Sequence, residues 1–584
     1  MDLSKLKSPE QIKKMSLPEL NELADELRAV LLQKLSRHGG HVGPNLGMVE
    51  ATIAMHYVFD APKDKLIFDV SHQSYVHKML TGRIDAFLDP KKYDDVTGYT
   101  NHRESPYDEF TLGHTSTSVA LAAGEAKARD LMGEKYRVVA LIGDGSLSGG
   151  EAFEGMDYAA TLGTNFIVIV NDNQMSIAEN HGGIYAGLEL LRKTNGTAPD
   201  NMFKALGFDY RYVEYGNDIR SLIDAMEDIK DTDHPIVLHI NTMKGHGWAP
   251  AEANKEEFHW SVPFNEKTGA PLQEFTGEDY GTIFSDLMLG LMAEDKKVAT
   301  ITAATPGSFD FTPEKRKAAG SQFIDVAIAE QCGVGVASGM ARAGARPVFA
   351  VNATFIQRAY DQLSQDVAIN GTAPVLVTFY NGIIGLNDVT HLGWFTIPFF
   401  INIPEWVVLA PTCKEEYTSM IEWAVKQTEH PVCVLTPGGG VTSCGKHLKA
   451  DYSDLNKYVT VRKGSKVAII GCGRMLGLAE QTADTMKADG IDATVINPRF
   501  LSGLDKDTLN GLRSEHQLVI TLEDGALAGG FGEKIATYYG PSAMRVKSYG
   551  IPKEFLDRYD ANALQTQLRL RPDLLAADIK ALLK

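Results

Sequence analysis

In VVALIGDGSLSGGEAF, residues 138–153, an aspartate stands between two glycines just after an apolar run, and in FIVIVNDNQMSI an asparagine follows the next apolar run. Asp144 and Asn173 both bring side-chain oxygen. That is the donor hard cations such as Mg2+ prefer, and Mg2+ keeps part of its shell for water or ligand phosphate. Gly143 and Gly145 let a bound group approach the backbone closely, and the N–H groups that open a helix favour an anion. The pattern points to a site for Mg2+ and a diphosphate. Alone, GDG is more often a plain strand-to-helix turn. The paired NDN at the next strand end tips the reading toward a ligand site.

For these two residues to meet, the apolar runs must be parallel strands of one sheet, because ligands of open α/β sheets sit outside the carboxyl ends of the strands. Apolar runs at 66–70, 138–142, 166–170 and 236–240 alternate with helical patterns such as Ser116–Leu131, which predicts a parallel sheet covered on both faces. A second set, 298–302, 347–351 and 375–379, repeats the alternation. A third has strands at 466–470, 494–496 and 518–522 and a helix at 477–488. Polar, turn-rich connections separate the blocks. The expectation is three consecutive doubly wound α/β domains, over residues 1–270, 277–440 and 455–584.

With 584 residues, 44% hydrophobic and 23% charged, the chain has the composition of a soluble globular protein. A formal charge of −18 argues against a general nucleic-acid binder, which needs a basic face. The five cysteines show no CxxC spacing, so neither a disulfide framework nor a zinc site is expected. No signal-like N-terminus and no long uncharged run is apparent, so a cytoplasmic protein without membrane partners is expected.

Beyond the GDG and NDN pair, longer words resemble one family of thiamine-diphosphate enzymes, the 1-deoxy-D-xylulose-5-phosphate synthases. GHVGPNLGMVEATIAMHYVFD, DVSHQSYVHKMLTGR, RESPYDEFTLGHTSTS and KGHGWAPAEA are similar to that family's first domain, FIDVAIAEQ and TFIQRAYDQLSQDVA to its second, and VINPRFLSGLD with TLEDGALAGGFG to a transketolase-type C-terminal domain. The resemblance implies thiamine diphosphate and Mg2+ as cofactors and a homodimer. It also implies condensation of pyruvate, with loss of CO2, with glyceraldehyde 3-phosphate, a step toward isoprenoids and thiamine. By the same resemblance, Asp144, Asn173 and the Met175 carbonyl would hold Mg2+, and His72, His114, Gly143, Gly145 and Ser146 would line the diphosphate. Glu330 would bond the aminopyrimidine ring and promote proton loss from the thiazolium carbon. Phe355 would stack on that ring, and Arg358 would lie in the substrate pocket. His41, His72 and His391 would serve the substrate; His259 is less secure, because the residues after it depart from the pattern. Taken without that context, Glu330 reads as a solvated helix residue and Phe355 as core.

The departures gather at the acceptor side. Tyr380 and Gly438 stand where the family carries arginines, Asn387 replaces an aspartate, Asn352 a tyrosine, and Cys332 follows Glu330–Gln331 where a histidine is usual. The stretch after Asn180 is also short. Losing two charge-assisted hydrogen bonds of about 1.5–3 kcal/mol each would weaken a phosphorylated acceptor strongly. An alternative within the same chemistry is therefore a transketolase-like or acyloin-forming enzyme with a different aldehyde. Two rivals lie outside it. A nicotinamide oxidoreductase would need GCGRMLG as its dinucleotide loop, but its glycine spacing departs from GxGxxG. A cofactor-binding pseudoenzyme would have little use for Glu330.

Overall fold

The strands at the heart of the chain are apolar throughout: VVALIG and FIVIVND are buried along nearly their full length, as strands covered on both faces must be. They form neighbouring members of a five-stranded parallel sheet, β1 (Lys65–Phe68), β2 (Val138–Gly143), β3 (Phe166–Asp172), β4 (Asp209–Val213) and β5 (Pro235–Asn241), in the order β1-β2-β3-β5-β4. Gly143 pairs in register with Asn171, so the residues that follow β2 and β3 emerge at one edge.

This computed structural model describes all residues except Met1, Glu274, Lys446, His447 and Lys449, and the chain divides into two units. The first comprises Met1–Thr276 with Ala327–Ala329, the second Gly277–Val326 with Glu330–Lys584. Parts of both predicted connections, at Glu274 and at Lys446, His447 and Lys449, lie outside the described residues.

In the first unit, helix α1 (Leu17–His38) starts at Ser16, whose side chain and that of Glu19 form a reciprocal capping box, and stops at Gly39 with φ +82°. Helix α2 (Ser118–Met132) packs along β2, and α3 (Gly150–Ala159) follows the GDG turn. Two apolar cores lie over this sheet. One contains Val138, Ala140, Val168 and Val237, the other Val139, Leu141, Ile169 and Leu238, so alternate residues of each strand face opposite layers.

The second unit holds two sheets. The six-stranded one is wholly parallel: β6 (Val298–Thr302), β7 (Phe323–Asp325), β8 (Arg346–Asn352), β9 (Val375–Phe379), β10 (Val407–Leu409) and β11 (Val432–Leu435), in the order β10-β11-β9-β8-β6-β7. Helix α4 (Glu330–Arg342) lies against β8, and α5 (Lys414–Lys426) follows β10. The five-stranded sheet, β12 (Val459–Arg462), β13 (Lys466–Gly471), β14 (Thr494–Asn497), β15 (His516–Ala526) and β16 (Arg545–Ile551), runs β12-β14-β13-β15-β16 and is parallel except for the edge strand β12. One apolar cluster unites residues of both sheets, among them Phe349, Leu376, Ile470 and Val519.

All ten predicted strands form, within one or two residues for nine of them, while β15 extends well beyond its predicted 518–522. Six others were not anticipated. β4 (DYRYV) and β16 (RVKSYGI) are edge strands with several exposed polar positions, so they lack the apolar run that marks the central strands.

Among the described residues no helix is long and apolar enough to cross a membrane.

Candidate active site

In the first unit, Asp144 leaves β2 and opens the short 3-10 turn Gly145–Ser148, and its carboxylate is buried. Oδ2 accepts a hydrogen bond from Asn180 Nδ2 at 2.7 Å, but Oδ1 is buried with no hydrogen-bond partner. Burial, reinforced by the neighbouring Asp172, pushes the Asp144 carboxyl up to about 7. Asp172 behaves differently. Burial alone would raise it, yet His239 Nε2 at 2.9 Å and a close ion pair with Arg192 hold it below the usual carboxylate range. Asn173 follows β3 directly, and its side-chain oxygen accepts from the Met175 N–H at 3.1 Å. The Tyr185 hydroxyl donates weakly to the carbonyls of Asp144 and Gly145 at 3.4 and 3.3 Å, so the short segment after Asn180 folds back onto the GDG turn.

The opposite wall of that turn is fixed by Asp69, which leaves β1. Its carboxylate accepts from the N–H groups of Ser116 and Ser118 at 2.8 and 3.0 Å, and the Ser116 hydroxyl donates to the Ser146 carbonyl at 2.8 Å. Gly149 must be glycine here, since a Cβ would lie 2.1 Å from Ser116 Oγ. His114, two residues before Ser116, is half-buried on the same segment.

Three more predicted histidines converge. The ring centroids of His41 and His72 are 5.0 Å apart, and His259 lies 5.7 Å from the first and 5.1 Å from the second. Two devices bring them together. Asn45, fully buried, donates to the carbonyls of His41 at 2.8 Å and His72 at 2.7 Å while accepting from Tyr75 N–H at 2.9 Å. Gly40, at φ +130°, exchanges backbone hydrogen bonds with Ser261, which carries His259 to His41. Burial, then Lys244 and the other two imidazoles, push the His259 ring well below its usual value, so it is neutral. His259, the less secure of the sequence candidates, sits squarely within the cluster. Lys244 was missed altogether. It is buried, donates to the Ser176 carbonyl at 2.7 Å, and burial drives its ammonium down to about 7 against the attraction of Asp144.

The second unit brings the other candidates into two close pairs. Glu330 is the first residue of α4 and is buried. Arg358 Nη1 donates to its Oε2 at 3.5 Å, a long contact, and burial prevails over it, raising the Glu330 carboxyl. Phe355 follows β8, and its ring meets His391 edge-on at 5.5 Å. His391 is held from behind: its Nδ1 pairs with Thr390 Oγ1 at 2.8 Å, and that hydroxyl donates to Asp388 at 2.6 Å.

The departing residues lie in the same unit. Tyr380 adopts φ +58°, and its carbonyl crowds Gly393, where a Cβ would approach to 2.0 Å. Asn352 is buried and donates to Ser308 Oγ at 3.3 Å, leaving its Oδ1 without a partner. Asn387 Nδ2 donates to the Tyr559 carbonyl at 3.1 Å. Gly438 has a negative or extended backbone, but a Cβ there would stand 2.6 Å from the Asn381 carbonyl. Arg474 lines a cavity with Gly438, Thr436 and Asp524, and is ion-paired to Asp524.

The geometry makes Asn45 the structural keystone of the histidine cluster. Asn45→Ala removes three hydrogen bonds, two of them to half-buried carbonyls and one from the buried Tyr75 N–H, which should cost about 2–4 kcal/mol. The urea unfolding midpoint reports this, and the histidine ring proton resonances should disperse differently. An unchanged midpoint and spectrum would show that Gly40 and Ser261 alone hold the cluster.

Comparison with known proteins follows the same division of the chain. Residues 3–198 match the family model described as 1-deoxy-D-xylulose-5-phosphate synthase, residues 277–441 that of the transketolase pyrimidine-binding domain, and residues 456–573 that of the transketolase C-terminal domain. Proteins named 1-deoxy-D-xylulose-5-phosphate synthase are similar along their whole length. The one from Heliobacterium modesticaldum is 37% identical over 96% of this chain and 93% of its own. That from Symbiobacterium thermophilum is 38% identical over 100% and 95%, and that from Brevibacillus brevis 35% identical over 100% and 99%. Likeness at this level over 96–100% of the chain is not the sharing of one domain: the chain belongs to the 1-deoxy-D-xylulose-5-phosphate synthase family.

Proposed function

We propose that the protein condenses pyruvate, with loss of CO2, with glyceraldehyde 3-phosphate to give 1-deoxy-D-xylulose 5-phosphate, using thiamine diphosphate and Mg2+. The observation that carries this is the end-to-end likeness, at 35–38% identity, to three proteins of that name. The residues present fit the cofactor. Asp144 Oδ1 is a buried carboxylate oxygen without a partner at the end of β2, beside the oxygen-bearing Asn173 loop, which is the donor chemistry Mg2+ takes. In this reading Asp144, Asn173 and the Met175 carbonyl hold Mg2+. Gly143, Gly145, Ser146, His72 and His114 line the diphosphate, with Lys244 supplying positive charge. When bound, thiamine diphosphate supplies a nucleophilic carbon and an electron sink for decarboxylation.

The remaining roles belong to the chain. Glu330, whose carboxyl burial raises above its ordinary range, presents the group that must bond the pyrimidine ring, and Arg358 orients it. Phe355 provides the ring's stacking face. His41, His72, His259 and His391 donate hydrogen bonds to developing alkoxides, and the neutral state of His259 suits it to give or take one proton. The family likeness further supports a homodimer of a cytoplasmic enzyme, and three domains bounded at 1–270, 277–440 and 455–584.

A second reading concerns the acceptor. Tyr380, Asn387, Asn352 and Gly438 are all uncharged, so a phosphorylated aldehyde meets fewer fixed charges than the family's arginines would offer. An unphosphorylated or differently placed anionic aldehyde then competes better, and a ketose donor belongs to the same alternative.

Three outcomes follow from these assignments. The Asp144 carboxyl is raised, so the folded apoprotein holds a proton there that the unfolded chain releases above about 4. Its contribution to stability is therefore present at low pH and is lost as pH rises toward about 7. Mg2+ needs the carboxylate, so Mg2+-dependent cofactor affinity should fall about tenfold per pH unit below 7. Asp144→Asn should flatten that dependence and lower affinity; calorimetry across pH measures both, and an unchanged profile would move the metal elsewhere.

Glu330→Gln should leave cofactor binding within several-fold, because the diphosphate residues are untouched. Exchange of the thiazolium carbon proton, followed by quenched-flow NMR, should slow by about 10²–10⁴. Parent-like exchange would mean that another group activates the cofactor.

The parent enzyme should show a high KM for glyceraldehyde 3-phosphate with donor activation intact. Tyr380→Arg should lower that KM by about tenfold or more, the equivalent of one charge-assisted hydrogen bond. Gly438→Arg is not the companion to use, since its Cβ would strike the Asn381 carbonyl. A micromolar KM in the parent would assign the phosphate to another cation, and the altered-acceptor reading would fall.

A further inference from the structure

Cys413 and Cys444 are far apart in sequence and belong to no CxxC pattern, yet the fold brings them together. Cys413 caps the start of α5, and Cys444 lies on the segment that follows β11. Their two sulfurs and a Glu415 carboxylate oxygen all lie within 4.8 Å of one another. The two backbone segments are laced side by side. Lys414 N–H donates to the Thr442 carbonyl at 2.9 Å, and the Thr442 hydroxyl donates to the Thr412 carbonyl at 3.0 Å. The carboxylate is itself aimed: Oε2 accepts from Cys444 N–H at 2.9 Å, and Oε1 accepts a close hydrogen bond from the Ser443 hydroxyl.

We propose that Cys413, Glu415 and Cys444 form a binding site for a thiophilic divalent cation of the zinc class. Two sulfurs and one oxygen are three protein ligands, and a tetrahedral ion would complete its shell with water, since Cys444 is exposed and Cys413 is buried. The sulfur pair selects against Mg2+, which takes oxygen. Carboxylates that ligate metals are commonly held by outer hydrogen bonds, and Ser443 with the Cys444 N–H supplies them here. A disulfide would need only the two sulfurs; the third donor converging on both is what favours an ion. Binding releases the two thiol protons, and the first turn of α5 offers its positive end to the Cys413 thiolate. An ion held here fastens the segment after β11, which also carries Gly438, to α5.

The test uses the full-length protein, reduced and stripped with a chelator, titrated with Cd2+ while the thiolate-to-cadmium charge-transfer band is recorded. Zn2+ is measured by competition with a chromogenic chelator. One equivalent per chain should bind with a band, and Zn2+ should raise the melting temperature. Cys413→Ser and Cys444→Ser should each abolish the band and the shift, and Glu415→Gln should weaken binding at least tenfold. Cys332→Ser, which removes the other exposed thiol, should leave both the band and the melting shift as in the wild type. The proposal is overturned if the wild-type protein gives no band while its thiols remain titratable, if the band survives in either serine variant, or if the pair only oxidises to a disulfide and takes up no metal. The wild-type titration decides the matter even if a serine variant fails to fold.

Discussion

A carboxyl group that water cannot solvate sits at the end of β2, and the arrangement of the first unit follows from it. Asp144 is buried, one of its oxygens has no partner, and Asp172 stands near enough to oppose its ionisation. Such a group is unfavourable in isolation and becomes favourable when a cation shares the site. The surroundings keep it in place. Tyr185 and Asn180 close one side, and the Asp69–Ser116–Ser146 chain of hydrogen bonds closes another. Asp172, the neighbouring carboxylate, is already engaged by His239 and Arg192.

The second unit applies the same physics in a milder form. Glu330 is buried at the first turn of α4, and its charged partner Arg358 is at a distance that leaves the carboxyl raised. In the role proposed for it, a carboxyl that bonds a ring nitrogen serves better in that condition than locked in a tight ion pair. The imidazoles follow the rule too. His259 is kept neutral by burial, whereas His391 is oriented through Thr390 and Asp388.

Much of this was legible in the sequence, and the reason is apolar periodicity. The central strands are buried on both faces and so appear as unbroken apolar runs; GDG and NDN mark where two of them end. The edge strands β4 and β16 have solvent on one side and gave no such run. Glu330, Phe355 and the histidines were found only through the longer words that surround them, since burial and pairing cannot be read from one residue type. What escaped were residues whose role is to hold others. Asn45 links the His41 and His72 backbones, Lys244 looks like any surface lysine, and Cys413 and Cys444 meet only because β10, β11 and α5 fold together. Distance in sequence hides such contacts.

The central claim is that this chain joins pyruvate to glyceraldehyde 3-phosphate, and the most direct measurement follows carbon. The purified protein, supplied with thiamine diphosphate and Mg2+, is given carbon-labelled pyruvate and glyceraldehyde 3-phosphate, and products are read by NMR and mass. The account predicts one labelled CO2 from the carboxyl carbon for each 1-deoxy-D-xylulose 5-phosphate that carries the remaining two pyruvate carbons. Labelled CO2 without that product, or the product formed equally without Mg2+ and cofactor, would contradict it.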